Sequence, residues 1–212
     1  MHAYMDVKNW PMPLTKKQKE KYRQTKVTGH LRTKEEGVEQ GFTKTRTAHS
    51  WIGIPSATIS AAVAKDRVIL WYHHQTGWNG ATAAALYKGP LLIALRRTWG
   101  PVKKFLVVED GDRKGYQSKK GVEAKSSAGI KVLTLPPRTP SLMPLDYQLW
   151  LSIEKVMDKT APDKTETKEE FLLRLQQAAT SLKKGCVQRA IARMKDNIKA
   201  IIEAKGYHPK ND

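Results

Sequence analysis

The sequence predicts an α/β fold, and three observations carry that prediction. Strand-like and helix-like runs alternate between residues 57 and 160. Phe105 to Val108 is a continuous apolar run, as expected of a strand covered on both faces. Past residue 145 the apolar residues recur at helical spacing. Strands alternating with helices favour a layered sheet with parallel pairs.

Taken in order, Ala3, Met5 and Val7 alternate with Tyr4 and Asp6, which reads as a short first strand stopped by Pro11 and Pro13. Residues 14–47 hold 10 Lys or Arg against 4 Glu and few large apolar residues, and read as an exposed basic insertion. It is either a nucleic-acid-contacting arm or a solvated loop. Two β-rich runs, 57–64 and 67–73, flank Lys65-Asp66 and predict a hairpin. Asn79 is placed to cap a helix that Gly89 and Pro90 should kink or split in two. After the strand at 105–108, the polar stretch "YQSKKGVEAKSSAG" is a helix candidate, and "IKVLTLP" a further buried strand. Leu145, Leu149, Ile153 and Val156 mark the next helix. Thr167 and Glu170 form a capping-box signature. A last helix, about 186 to 204, places Val187, Ile191, Met194, Ile198 and Ile201 on one face.

Composition narrows the partners. Thirty-eight Lys and Arg against 20 Asp and Glu leave a formal charge of +18 on 212 residues, which favours a polyanion, most often nucleic acid. A merely basic soluble protein is the bland alternative. No run of 18 apolar residues occurs, so no membrane span is expected. The first residues lack the basic-then-apolar order of a secretory signal, and an intracellular site is expected. One cysteine, Cys186, excludes an internal disulfide or a multi-cysteine metal site and reads as a helix packing residue.

Chemistry is sought among the carboxylates. Asp6 lies on the first strand, and Asp110 follows a buried strand, at the edge where open α/β sheets place their sites. Asp146 follows "LPPRTPSLMPL", with four prolines between 136 and 144. Those prolines hold the approach extended, and Pro144 suits a first helical position, so Asp146 falls in a first turn whose start is fixed. Taken singly, each aspartate is also explained as a cap or turn residue. Brought together they would repel without a cation, and all-oxygen donors suit Mg²⁺ or Mn²⁺ rather than zinc. His73 and His74, adjacent on a strand, would face opposite sides and are poor co-ligands. Trp71, Trp78, Trp99 and Trp150 read as core or rim packing, with Trp150 four residues past Asp146 and able to buttress it.

"VVEDGDRKGYQSKKG" followed by "LPPRTPSLMPLDYQLW" resembles the catalytic core of mariner-like transposases, whose superfamily has the ribonuclease-H-like fold. The family pattern has an Asp after a buried strand, then a Pro-rich approach to the last catalytic acid some thirty-five residues on; here 35 residues separate Asp110 from Asp146. "YMDVKNWP" is similar to the first catalytic strand. The likeness spans nearly the whole chain and is most specific over residues 105–150.

The resemblance implies a ribonuclease-H-like mixed sheet flanked by helices, over residues 1–160, with a C-terminal helical extension over 161–212. It implies a DNA strand-cleaving and strand-transferring enzyme in which Asp6, Asp110 and Asp146 bind two Mg²⁺ or Mn²⁺ ions. DNA is the implied partner, with a homodimer on DNA and a nuclear site as further expectations. Lys119, Lys120 and Lys125 are candidate DNA-backbone contacts, or a solvated helix face, and Arg138 is a candidate phosphate contact. Three positions depart from the family pattern: Gly111, where Asn is usual; Thr139, where Ser is usual; and Ser141, where Asp is usual. The helix-turn-helix modules that precede this domain in the family have no counterpart here, so a fragment, or a domain reused without them, is expected. The alternatives are an inactive nucleic-acid-binding remnant and an unrelated ribonuclease-H-like nuclease.

Overall fold

The computed structural model describes residues 2–12, 56–101, 104–136, 139–162, 164 and 166–204. The basic stretch 14–47 and Arg138 lie outside them. Five strands form one mixed sheet: β1 (His2–Pro11), β2 (Ser56–Ala64), β3 (Arg67–His74), β4 (Phe105–Glu109) and β5 (Ile130–Thr134), in spatial order β3-β2-β1-β4-β5. The predicted hairpin is present, and its two-residue turn puts Lys65 at φ 58°, the left-handed conformation such turns require. β1 pairs antiparallel with β2 but parallel with β4, and β4 runs parallel with β5.

Among the described residues six helices flank the sheet: α1 (Gly80–Leu86), α2 (Leu92–Trp99), α3 (Lys119–Ser127), α4 (Trp150–Lys159), α5 (Lys168–Thr180) and α6 (Lys184–Glu203). Asn79 caps α1, accepting from the Ala81 and Thr82 amides, and Thr167 with Glu170 forms the predicted capping box on α5. Pro90 falls between α1 and α2, where the sequence predicts a kink or a split. Tyr87–Leu91 winds as one wide π-helical turn between α1 and α2, which accommodates a residue that has no amide hydrogen to donate.

Strand alternation sorts the core into two layers. On one face Ala3, Met5, Phe105 and Val107 pack with Leu86, Tyr87, Leu91, Tyr116 and Ala124 from the α1–α3 side. On the other, Tyr4, Trp10, Ile59 and Val108 pack with Leu145, Leu149, Trp150, Ile153, Phe171, Leu175 and Val187. Covering both faces explains why every residue of Ala57–Ala64 is buried. β5 departs from expectation. It is the edge strand, and Lys131, Leu133 and Thr134 are exposed, because only one neighbour pairs with it. Among the described residues no helix is long and apolar enough to cross a membrane.

Candidate active site

β1 and β4 run parallel with Met5 opposite Glu109, so Asp6 and Asp110 follow at the same level on neighbouring strands, about 4.8 Å apart in the pairing direction. Alternation turns both towards the layer that contains Tyr4 and Val108. The third acid arrives from that layer. Pro140–Leu142 forms a short 3₁₀ turn, and Pro144 then caps Leu145–Leu149, a π-helical turn that runs into α4. Asp146 sits at the start of that turn, its amide bonded to the Met143 carbonyl at 2.9 Å. Asp110 and Asp146 line a cleft of about 140 Å³ together with Leu135, Thr139, Pro140 and Met143. The proline-punctuated approach thus forms one wall of the cleft and delivers the acid to it.

The three carboxyls feel one another. Asp6 is 8% exposed, and burial raises its pKa, while hydrogen bonds from the Trp150 indole, the Val7 amide and Asp146 oppose the rise. Trp150 Nε1 donates to Asp6 Oδ2 at 2.7 Å. Asp146 is pushed up to about 7, first by burial, then by the charge of Asp6, its hydrogen bond to Asp6, and the charge of Asp110. Burial and mutual repulsion thus make the Asp6–Asp146 pair hold a proton to higher pH than a free carboxyl does. Among the described residues no three acidic, histidine or cysteine side chains are already drawn into one coordination sphere. The donor chemistry nevertheless fits a hard divalent cation: three carboxylates, all oxygen, carrying unfavourable charge at one place.

Neighbouring residues frame the acids. Lys8, two residues past Asp6 and so on the same face of β1, opposes the rise at Asp146. Its ammonium bonds Glu154 at 2.5 Å and lies 4.6 Å from the Trp10 ring centre. Trp150 is buried and stacks edge-on against Trp10 and Trp71. The other predicted packing roles hold as well, with Trp78 between His74 and Tyr116, Trp99 against Phe105, and Cys186 half-buried against the C-terminal core. His74 is buried against Ser60 Oγ at 2.7 Å. Behind Asp110, Gly111 donates to Asp110 Oδ1 at 2.6 Å. Asp112 then organises the loop: Oδ2 accepts from the Gly115 amide at 2.7 Å and from Trp78 Nε1 at 3.0 Å. The carbonyl of Ser141 accepts from Asn197 of α6 at 2.6 Å, tying the Pro-rich turn to the C-terminal helix.

Lys119 and Lys120 are exposed in the first turn of α3, as a DNA-backbone contact requires. Lys125 is not. It is 5% exposed and turned into the core, where it pairs with the fully buried Glu109 and donates to the Tyr116 carbonyl at 2.9 Å. An ammonium held there cannot meet a phosphate, so Lys125 is corrected from a surface contact to an internal one. Gly121, Ala124 and Lys125 share the buried face of α3, and their spacing of three and four was the available signal. Lys8 was likewise legible from its even spacing to Asp6. Nothing in the sequence singled out Glu109 and Tyr87.

No protein-family model and no curated protein sequence matches the chain. Solved structures do. The Mos1 transposase paired-end complex with left transposon end superposes with a TM-score of 0.70 at 15% identity over 99% of this chain. The Mos1 mariner paired-end complex with Mn gives 0.66 at 16% identity, again over 99% of this chain. The chain spans 56% of the protein in each of those complexes. The catalytic domain of Mos1 mariner transposase alone gives 0.68 at 13% identity, covering 97% of this chain and 82% of that one. The chain has the fold of the catalytic domain of a mariner transposase, the ribonuclease-H-like mixed sheet between helical layers.

Proposed function

We propose that this chain is the catalytic domain of a metal-dependent DNA transposase, cleaving and rejoining phosphodiesters. One observation carries the reading. Asp110, just past the end of β4, and Asp146, in a π-helical turn, line one cleft, Asp6 on β1 lies against Asp146, and the pKa of Asp146 is raised to about 7 by burial and by the other two acids. A fold needs no such cluster for its stability, and strained charge of this kind gathers at functional sites. The superposition on the Mos1 catalytic domain supports the same reading independently of the acids.

Asp6, Asp110 and Asp146 would hold Mg²⁺ or Mn²⁺, as a pair of ions. Such a pair, once bound, supplies a Lewis acid on each side of a phosphodiester and lowers the pKa of the attacking water or 3′-hydroxyl. The chain's own residues do the rest. Trp150 fixes the orientation of Asp6 by donating to Oδ2. The β4 terminus and the Asp112-ordered loop fix Asp110, and the Pro140–Met143 turn fixes Asp146. Asp146, raised to about 7, would have to be ionised to hold a cation. Lys119 and Lys120, with the net charge of +18, supply attraction for the DNA backbone, and two copies of the chain on paired DNA ends complete the proposal.

Nicking of supercoiled plasmid with Mn²⁺ tests this, alongside Asp110→Asn and Asp146→Asn. Nicking by the natural sequence that disappears in both variants is the expected result. A folded, DNA-binding protein that does not nick would instead identify an inactive remnant, for which the departures at Gly111 and Ser141 are the first suspects.

A further inference from the structure

We propose that Lys125 is a positioning residue for Asp110, acting through a buried clamp that closes on the chain on both sides of that acid. The inference rests on the functional reading above. Its geometry begins at Glu109, the last residue of β4. Strand alternation turns Glu109 away from the cleft and into the α1–α3 layer, where it is 0% exposed. Both of its oxygens are engaged: Oε2 accepts from the Tyr87 hydroxyl at 2.5 Å, and Oε1 pairs with the Lys125 ammonium. The same ammonium donates to the carbonyl of Tyr116.

One cation thus grips the residue before Asp110 and the loop after it. The segment between is bound at further points. The Leu135 amide donates to the Glu109 carbonyl at 2.9 Å, and the Gln117 amide to that of Asp112 at 2.9 Å. α3, which carries Lys125, lies so close to this loop that a Cβ on Gly121 would stand 2.6 Å from the Gly115 carbonyl. Asp110 therefore leaves a strand end that cannot rotate and enters a loop that cannot drift. A buried ion pair is a poor source of stability compared with apolar packing, but it has one geometry, and a carboxylate next in sequence inherits it. Outer residues that orient ligands in this way typically change metal affinity by about 10–100-fold when removed.

Lys125→Met keeps the apolar stem and deletes the ammonium. Four quantities would be measured: folding by circular dichroism, Mn²⁺ affinity by calorimetry, DNA affinity at fixed salt, and amide exchange over residues 111–117 without metal. The expected result is a folded protein with Mn²⁺ bound about 10–100-fold more weakly, faster exchange at Gly111–Gly115, and DNA affinity unchanged. A folded variant that binds Mn²⁺ like the natural sequence overturns the clamp, because a merely structural role lowers stability and leaves metal affinity alone. Weaker DNA binding with unchanged Mn²⁺ affinity overturns it too, and would return Lys125 to the surface. If Lys125→Met does not fold, Tyr87→Phe decides, since it keeps the ring and removes one donor from Glu109. At least about tenfold weaker Mn²⁺ binding supports the clamp, and none refutes it. Should the natural sequence itself fail to bind Mn²⁺, the functional reading falls, and amide exchange alone judges the clamp: unchanged protection of Gly111–Gly115 in the variant refutes it.

Discussion

Asp146→Asn should make the metal-free protein more stable while removing its metal binding and strand cleavage. Asparagine is nearly the shape of aspartate and still donates to Asp6, so packing and the hydrogen bond survive while one charge goes. The gain follows from the raised carboxyl. A group that ionises near 7 when folded, against 3.8 when free, binds its proton more tightly in the native state. Stability is then unaffected below 3.8, falls as pH rises, and levels off above about 7. Each pKa unit is worth about 1.4 kcal/mol. Asp146 is open to solvent on one side, and screening there reduces the net penalty at pH 8 to about 1–2 kcal/mol. For a domain of this size that corresponds to a melting temperature about 3–6 °C higher for the variant at pH 8, and no difference at pH 4. His74 does not disturb the gap: burial holds it down at about 4, and it destabilises both proteins equally as pH falls below 6.5. Thermal unfolding in chelator at pH 4, 6 and 8 measures the difference. A variant less stable at pH 8, or a gap that does not change with pH, would show that neither burial nor the neighbouring acids raise Asp146 and would refute the reasoning.

Other consequences can be checked in the same preparation. Mn²⁺ or Mg²⁺ should raise the melting temperature strongly at pH 8 and little at pH 5, and calorimetry at pH 6.5 in buffers of differing ionisation heat should register about one proton released per site filled. Trp150→Phe removes the indole donor from a nearly buried carboxyl, and should destabilise by about 1.5–3 kcal/mol at pH 8 by urea titration, with a smaller loss as the pH is lowered and Asp6, its pKa raised by burial, takes up a proton. Gly115→Ala would place a Cβ 2.1 Å from the Trp78 ring, so it should cost at least about 1–3 kcal/mol and raise amide exchange across Gly111–Gln117. DNA affinity should fall steeply between 50 and 200 mM salt, by roughly 10³-fold if six phosphates are neutralised, and Lys119→Ala with Lys120→Ala should flatten that slope.

The legibility of the sequence followed the range of the interactions involved. The places of Asp110 past a strand end and of Asp146 in a first helical turn were readable from local chemistry, through an apolar strand that stops and a run of prolines that fixes a turn. The cap at Asn79 and the capping box at Thr167 are equally local. Asp6 needed the resemblance, since its partner strand β4 lies about a hundred residues on, and a parallel register leaves no mark in either segment. β5 was misread as buried because an apolar run does not reveal how many neighbours its strand will have. Lys125 was misread because "KKGVEAK" is polar on average, and only the small residues Gly121 and Ala124 disclose which face turns inward.

Glu109 and Asp146 are two acids in opposite circumstances. Burial penalises both, and both stand beside another acid. Glu109 has a donor on each oxygen, from Tyr87 and Lys125, and neither can be removed without leaving a buried charge unpaired. Asp146 has no such pair. It leans on Asp6 for a shared proton, with Lys8 opposing its rise while bound to Glu154. Had the chain needed only a stable helix start, a cation or a neutral residue would have served at 146 without that penalty. Donors of that kind stand instead at Glu109, one residue before Asp110 and on the other side of the sheet from the cleft. The shortage of internal partners at Asp146 and their sufficiency at Glu109 are therefore two sides of one arrangement: a satisfied back wall beside acids that lack cationic partners of their own, as the proposed metal site requires.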